Sequence, residues 1–307
     1  MKKLNSELFG RVKAFIKKNA RPVDVRLYEY YFEGGDPALV EEALLHYQNQ
    51  DGGFGHSLEP DFRLEHSSPM ASTIAFQYAR EMHLTSESPL IQKGIQYFLH
   101  TYDQKRGGWH GVPEEVNDVP HAPWWNFDAE KGHTGAASSW ANPSAEITGY
   151  LLEYSELVPK LFLDTVKVRA LEELDKLEMK MEMHDFLCYQ RLFERLEVKD
   201  KQEVLYRLRE SAREITPRSR AGWENYGLTP LQIATSPESP FADLFKEVLP
   251  DNLDYELDRL TPEGAWNPGW SWFGQYEEEW KAAEKDWKGY LTVKMLKVLS
   301  DFNRLEQ

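Results

Sequence analysis

A single cysteine, Cys188, occurs among 307 residues. One thiol excludes an internal disulfide framework and any zinc site that needs two thiolates from one chain. No run of about 18 apolar residues is present, so no bilayer-spanning helix is expected. Positive charge is in short supply. Only 36 Lys and Arg stand against 51 Asp and Glu, a formal net charge of −15. That balance sets the chain against nucleic acid and anionic membranes as partners. Strand-like alternation of polar and apolar residues is missing as well. The start, Met1-Lys2-Lys3-Leu4-Asn5-Ser6-Glu7, has no apolar stretch behind its lysines. A signal peptide is therefore not expected, and the expected location is cytoplasmic.

What the sequence does have is helical periodicity. Leu8, Val12, Phe15 and Ile16 share one face, as do Ile91, Ile95, Phe98 and Leu99. Phe186, Tyr189, Phe193 and Leu196 repeat the pattern, and so do Leu291, Met295, Val298, Leu299 and Phe302. This i, i+3/i+4, i+7 spacing predicts amphipathic helices over roughly 7–18, 89–101, 182–196 and 287–302. Asp36-Pro37, Ser68-Pro69, Ser88-Pro89, Asn142-Pro143 and Ser239-Pro240 read as helix starts. The short side chain accepts an orphan N–H, and proline suits the first turn because its own N–H is not needed there.

A repeat runs through this pattern. Gln48-Asn49-Gln50-Asp51-Gly52-Gly53-Phe54-Gly55 follows one predicted helix, and Gly107-Gly108-Trp109 follows another 55 residues further on. Ala221-Gly222-Trp223 and Gly264-Ala265-Trp266 are weaker echoes. Gly-Gly permits positive φ at a tight turn, and the aromatic is expected to pack over the hairpin end. The glutamine is expected to bond carbonyls at the helix terminus. A period of this size describes about twelve helices, an array of about six hairpins each burying its face against the next.

The stretch Gln48–Gly55 resembles the Q-x-x-D-G-G-F/W-G repeat of squalene–hopene cyclases and protein prenyltransferase β subunits. The longer stretch from Asn49 to Asp61, NQDGGFGHSLEPD, is similar to a group of bacterial single-toroid proteins. The resemblance implies an all-α chain, 1–307 as one domain, folded as a single α/α toroid with long aromatic-rich loops at one end. It also implies a small-molecule ligand in the central cavity. The family's catalytic residues do not carry over. No D-x-D-D motif is present, Asp251-Asn252-Leu253-Asp254 is a different pattern, and no match to the prenyltransferase zinc ligands surrounds Cys188. Fold alone does not give function.

Four segments are candidates for a ligand mouth: 52–68, 103–142, 217–228 and 261–286. All ten tryptophans lie in the last three or just beyond them. Their faces suit sugar rings, isoprenoid chains and carbocations alike. Five of nine histidines fall in the first two segments. Glu59, Asp61, Glu146 and Glu224 are the candidate acid–base residues, with Asp61 and Glu146 one possible pair. His56, Trp109, His110, His121, Trp124, Trp125, Trp223, Trp266 and Trp270 are the candidate ligand-binding residues. The competing reading is that these groups hold the loops together. Glu146, for instance, is expected in a first helical turn, where a carboxylate favours the helix dipole. The spacing His56-x-x-Glu59-x-Asp61 matches no dependable metal pattern, so no metal and no cofactor is expected. Cys188 with His184 four residues earlier is a nucleophile pair in principle; a buried inert thiol is the plainer reading. The basic patch Arg207, Arg209, Arg213, Arg218, Arg220 suits either a diphosphate or a solvated helix end.

Three functions remain in view: a terpenoid-cyclase-like enzyme acting on a hydrophobic, isoprenoid-like ligand; a carbohydrate-active toroid using paired carboxylates; and a non-catalytic binding or scaffold protein.

Overall fold

The computed structural model describes residues 1–306, and helices dominate it. In chain order they are α1 (Ser6–Asn19), α2 (Pro22–Phe32), α3 (Pro37–Leu45), α4 (Pro69–Glu81) and α5 (Pro89–His100). Then come α6 (Ala141–Glu153), α7 (Lys160–Lys176), α8 (Met183–Arg195) and α9 (Val198–Ile215). The short α10 (Arg220–Trp223) and α11 (Pro230–Ile233) precede α12 (Leu249–Asp258) and the long α13 (Glu277–Asp301). Among the described residues the only paired strands are the two-residue β1 (Phe127–Asp128) and β2 (His133–Thr134), an antiparallel ribbon. The chain is thus all-α in class. It divides into two compact units, Met1–Val40 with Ala212–Ser271 and Trp280–Gln307, and Glu41–Ser211 with Trp272–Glu279.

The predicted caps explain several starts. Ser68 accepts from the Ala71 N–H and Ser88 from the Ile91 N–H, each ahead of a proline in the first turn. Asp36 accepts from the Ala38 N–H at the head of α3. Two of the expected starts differ. Asn142 lies inside α6 with non-helical φ/ψ, and its amide donates to the Ala136 carbonyl instead of capping. No α-helix begins at Ser239-Pro240, where a tight turn leads into a 3-10 helix at Ala242–Phe245. The final helix starts at Glu277, ten residues before the expected 287. Three glutamates fill its first turn, where negative charge suits the helix dipole. Trp280 and Trp287 therefore sit on a helix and not in or beside a loop.

The repeat is real at three turns and has a part that sequence reasoning missed. After α3, α5 and α12, the backbone N–H of Asn49, Asp103 and Thr261 bonds the carbonyl of Gly53, Gly108 and Ala265, at 2.8, 2.9 and 3.0 Å. Each turn carries a left-handed glycine: Gly52 (φ 88°), Gly107 (φ 65°) and Gly264 (φ 90°). The aromatic that follows is buried, and its backbone N–H donates to a hydroxyl on a later helix. Phe54 donates to Ser72 Oγ on α4 (3.0 Å), Trp109 to Ser144 Oγ on α6 (2.9 Å) and Trp266 to Thr292 Oγ1 on α13 (3.1 Å). The two indoles also close the preceding helix, Trp109 donating to the Phe98 carbonyl (2.7 Å) and Trp266 to the Glu256 carbonyl (2.8 Å). These carbonyls belong to the last turns of α5 and α12, where four oxygens lack helical partners. Gln48 bonds the carbonyls of Gly52 and Leu90, both at 3.0 Å, and so ties its turn to α5 rather than to its own helix end. Ala221-Gly222-Trp223 does not share this geometry, because it folds into α10.

In the second unit α6 is the central element. Residues 141–151 are buried on every side, the pattern of a helix with neighbours all round. It packs chiefly on α8, then on α7 and α4.

Candidate functional site

Three separate stretches of the second unit meet around two carboxylates. The stretch 55–65 folds back on itself, with His56 N–H on the Glu65 carbonyl and Ser57 N–H on the Leu64 carbonyl, both at 3.2 Å. His56 (φ 53°) and Ser57 (φ 61°) take left-handed backbone at its tip. Its other limb pairs with the long 103–142 loop: Arg63 N–H bonds the Pro120 carbonyl (2.8 Å), and Ala122 N–H bonds the Asp61 carbonyl (2.7 Å). Phe62 faces His121 across this short bridge. The third stretch, 272–279, enters through Trp272, which is fully buried and donates its indole N–H to Asp61 Oδ1 at 2.8 Å.

Glu59 and Asp61 are 6% and 4% exposed. Glu59 Oε2 accepts the Asp61 backbone N–H at 2.6 Å, so the Glu59 side chain closes the turn that carries Asp61. His121 is buried, and its Nδ1 lies 2.7 Å from the Val119 carbonyl. A carbonyl only accepts, so Nδ1 carries the hydrogen. The His121 ring lies 5.9 Å from that of Tyr276. Aromatics on the same three stretches pair with one another. Phe62 meets Trp125 edge to face at 5.4 Å, and Trp124 meets Phe273 likewise at 6.4 Å. The Trp125 indole N–H is buried with no hydrogen-bond partner.

The backbone of the third stretch is unusual. Phe273 (φ 52°), Gly274 (φ 82°) and Tyr276 (φ 46°) are all left-handed. A bulky residue rarely adopts that conformation, and such strain gathers where the surrounding structure enforces it.

Glu146 lies in a different buried network. Its Oε1 accepts from Gln77 Nε2 (2.9 Å) and the Tyr150 hydroxyl (2.6 Å), and its Oε2 from Arg191 Nη1 (3.0 Å). Cys188 Sγ is 3.9 Å from Oε2. Glu146 therefore locks α4, α6 and α8 together. Burial, with the Glu146 charge second, raises the Cys188 thiol well above its ordinary range. The thiolate that a nucleophile needs is disfavoured there. His184 is turned to Glu182, at 2.8 Å. One turn before Cys188 on the same helix, burial pushes the Asp185 carboxyl up to about 6.

The remaining predicted residues fall outside the cluster. His56 is exposed and bonds Asn49 Oδ1 (2.9 Å), while His110 bonds Asp103 Oδ2 (2.8 Å). Both brace repeat turns, and the His110 bond holds the Asp103 carboxyl below its ordinary range. Trp109, Trp223 and Trp266 are buried, and their indoles donate to backbone carbonyls outside this cluster. Glu224 is exposed at the end of α10, in the first unit. Trp270 packs there between Tyr226 (6.3 Å) and Trp287 (5.0 Å). Within the basic patch, Arg207 bonds the Leu177 carbonyl, Arg218 the Leu244 carbonyl, and Arg220 both Asp251 and Asp258. Arg209 and Arg213 are engaged too.

Sequence reasoning reached Glu59, Asp61, His121, Trp124 and Trp125 but not Phe273 or Tyr276. The signal was present in Trp270-Ser271-Trp272-Phe273-Gly274-Gln275-Tyr276, four aromatics in seven residues. Among the described residues no three His, Cys, Asp or Glu side chains come together as a metal-ligand set. No helix there is long and apolar enough to cross a membrane. In comparisons with known proteins, no family model, curated protein or solved structure matches the chain.

Proposed function

We propose that the helical hairpins close into an α/α toroid of the terpenoid-cyclase and prenyltransferase type. In this reading Glu59, Asp61 and His121 are the acid–base centre of an enzyme acting on an uncharged small molecule. The observation that carries it is the meeting of three distant stretches at two buried carboxylates: Glu59 holds the Asp61 backbone N–H, the Trp272 indole donates to Asp61, and the stretch of buried His121 pairs with theirs. Buried ionisable groups that converge with aromatics and strained backbone are the marks of a working site. Asp61, held in place by the Trp272 indole N–H, is the proton acceptor in this reading. Glu59, whose carboxylate holds the Asp61 backbone N–H, and His121 on the paired stretch are the groups that relay the proton in this reading. The three repeated turns support the toroid, since each ties one hairpin to the next through the same bond.

The ligand is uncharged in this reading because the cluster offers carboxylates, and the arginines at 207–220 are committed elsewhere. An isoprenoid-like hydrocarbon and a sugar both satisfy that condition. A thermal-shift panel tests the reading with squalene, isoprenoid diphosphates, neutral oligosaccharides and divalent metals. A ligand that binds only the folded state raises the melting temperature by mass action. Stabilisation by an uncharged probe, with turnover lost in Asp61→Asn and Glu59→Gln, is the expected result. Stabilisation by diphosphates or metals alone refutes the uncharged-ligand reading, and no shift with any probe favours the scaffold reading.

A further inference from the structure

We infer that Trp124, Phe273 and Tyr276 form a stacking platform for the rings of a neutral oligosaccharide, laid beside Glu59, Asp61 and His121. This rests on the proposed reading of the site and names its ligand class.

The first ground is exposure. Phe273 is 77% and Tyr276 43% exposed, yet Trp272 next to them is fully buried on Asp61. One aromatic anchors the segment while the next two are presented outward. The second ground is backbone conformation. Phe273, Gly274 and Tyr276 are left-handed at φ 52°, 82° and 46°. A loop that needs only this path is best served by glycine or asparagine at each position. A phenyl and a phenol held there, against local preference and in water, point to a use for the rings. The third ground is arrangement. Phe273 stands perpendicular to Trp124, with an interplanar angle of 84°, and Tyr276 leans on His121 at 44°. Tyr276 thus meets His121 directly, and Phe273 follows Trp272, the residue that donates to Asp61.

The chemistry of the occupant follows. Carboxylates and a histidine beside the rings favour hydroxyl groups over phosphates or sulfates. An isoprenoid chain gains from burying its whole surface, which rings this exposed do not offer. A sugar ring has one apolar C–H face to lay on an aromatic and hydroxyl edges that stay wet or reach polar groups. The half-open platform suits the sugar.

The test uses the purified full chain with cello-, malto-, xylo- and chito-oligosaccharides and squalene. Melting temperature and tryptophan fluorescence report binding, and new reducing ends report turnover. One oligosaccharide series is expected to stabilise the wild type. Phe273→Gly removes the ring and suits the backbone, so it is expected to raise the melting temperature of the free protein while weakening that binding about tenfold or more. A ring that served only the fold would show the opposite change in stability. Asp61→Asn is expected to keep binding and lose turnover. No stabilisation by any oligosaccharide, or wild-type affinity in Phe273→Gly, overturns the platform. If squalene instead stabilises the protein and turnover still needs Asp61, the acid–base reading survives without it. Sugar binding that needs Phe273, with no turnover, upholds the platform and removes the enzyme.

Discussion

Replacing Ser144 with alanine isolates one of the three repeated clamps. The Ser144 hydroxyl accepts the buried Trp109 N–H at 2.9 Å. Alanine removes one oxygen and leaves that N–H inside the second unit without its acceptor. A buried donor stripped of its partner costs about 1–3 kcal/mol, and a loss of about 2 kcal/mol is expected here. The melting temperature should fall by roughly 3–5 °C for a chain of this length. Thr165→Ala is the matched control. Its hydroxyl bonds only the Leu161 carbonyl one turn back, at an exposed position, so a change within about 0.5 kcal/mol is expected. Chemical denaturation gives the difference in stability, and amide hydrogen exchange reads the Trp109 N–H directly. Faster exchange at Trp109 in Ser144→Ala is the specific sign. Equal stability and unchanged Trp109 exchange would refute the claim that the hydroxyl holds the turn.

Further outcomes follow from other sites. Gly52→Ala forces a side chain onto φ 88° and places its Cβ 2.4 Å from the Lys93 carbonyl oxygen; a loss of about 3 kcal/mol or more is expected, read as failure to give a cooperative unfolding transition. Trp272→Phe removes the indole donor from Asp61 Oδ1 and is expected to cost about 1–3 kcal/mol, while leaving a ring to fill the core. Asp185, with its carboxyl raised to about 6, gives a pH test. The unfolded carboxyl titrates near 4, so stability tied to this group is full below about pH 4 and is lost as pH rises through about 6. Asp185→Asn should therefore gain about 2 kcal/mol over wild type at pH 7.5 and little at pH 4. Equal differences at the two pH values would show that burial does not hold the Asp185 proton.

The sequence was most legible where a local rule acts alone. Ser68 and Ser88 ahead of proline marked α4 and α5 because capping needs only residues within one turn. Gly52-Gly53-Phe54 marked a turn because positive φ is written in glycine. The hydroxyl partners were not legible. Ser72, Ser144 and Thr292 lie 18, 35 and 26 residues beyond the N–H they accept, so no fixed spacing announces them. The tryptophans could not be sorted from sequence for a related reason. Those in repeat turns and those in the 124–125 loop share a composition signal, but only the fold decides which indole meets a carbonyl and which meets a neighbouring ring. Glu146 looked like half of an acid–base pair beside Asp61. Its ties to Gln77, Tyr150 and Arg191 depend on how α4, α6 and α8 pack, which periodicity does not specify. Glu59 and Asp61 stood out because they follow a repeat turn closely, but their ties to Trp272 and to the 103–142 loop are long-range and unannounced.

Each clamp also imposes an order of events on a growing chain. The turn at Phe54 is complete only when Ser72 has been made, and the turn at Trp109 waits for Ser144. At ribosomal speeds of about 5–20 residues per second, those intervals last on the order of seconds. Through each interval a large aromatic and its amide wait for a helix that does not yet exist. A nascent chain that stops between a turn and its hydroxyl holds an unlatched hairpin, so the position of the next serine or threonine, more than the end of the hairpin itself, sets when each step of folding becomes secure.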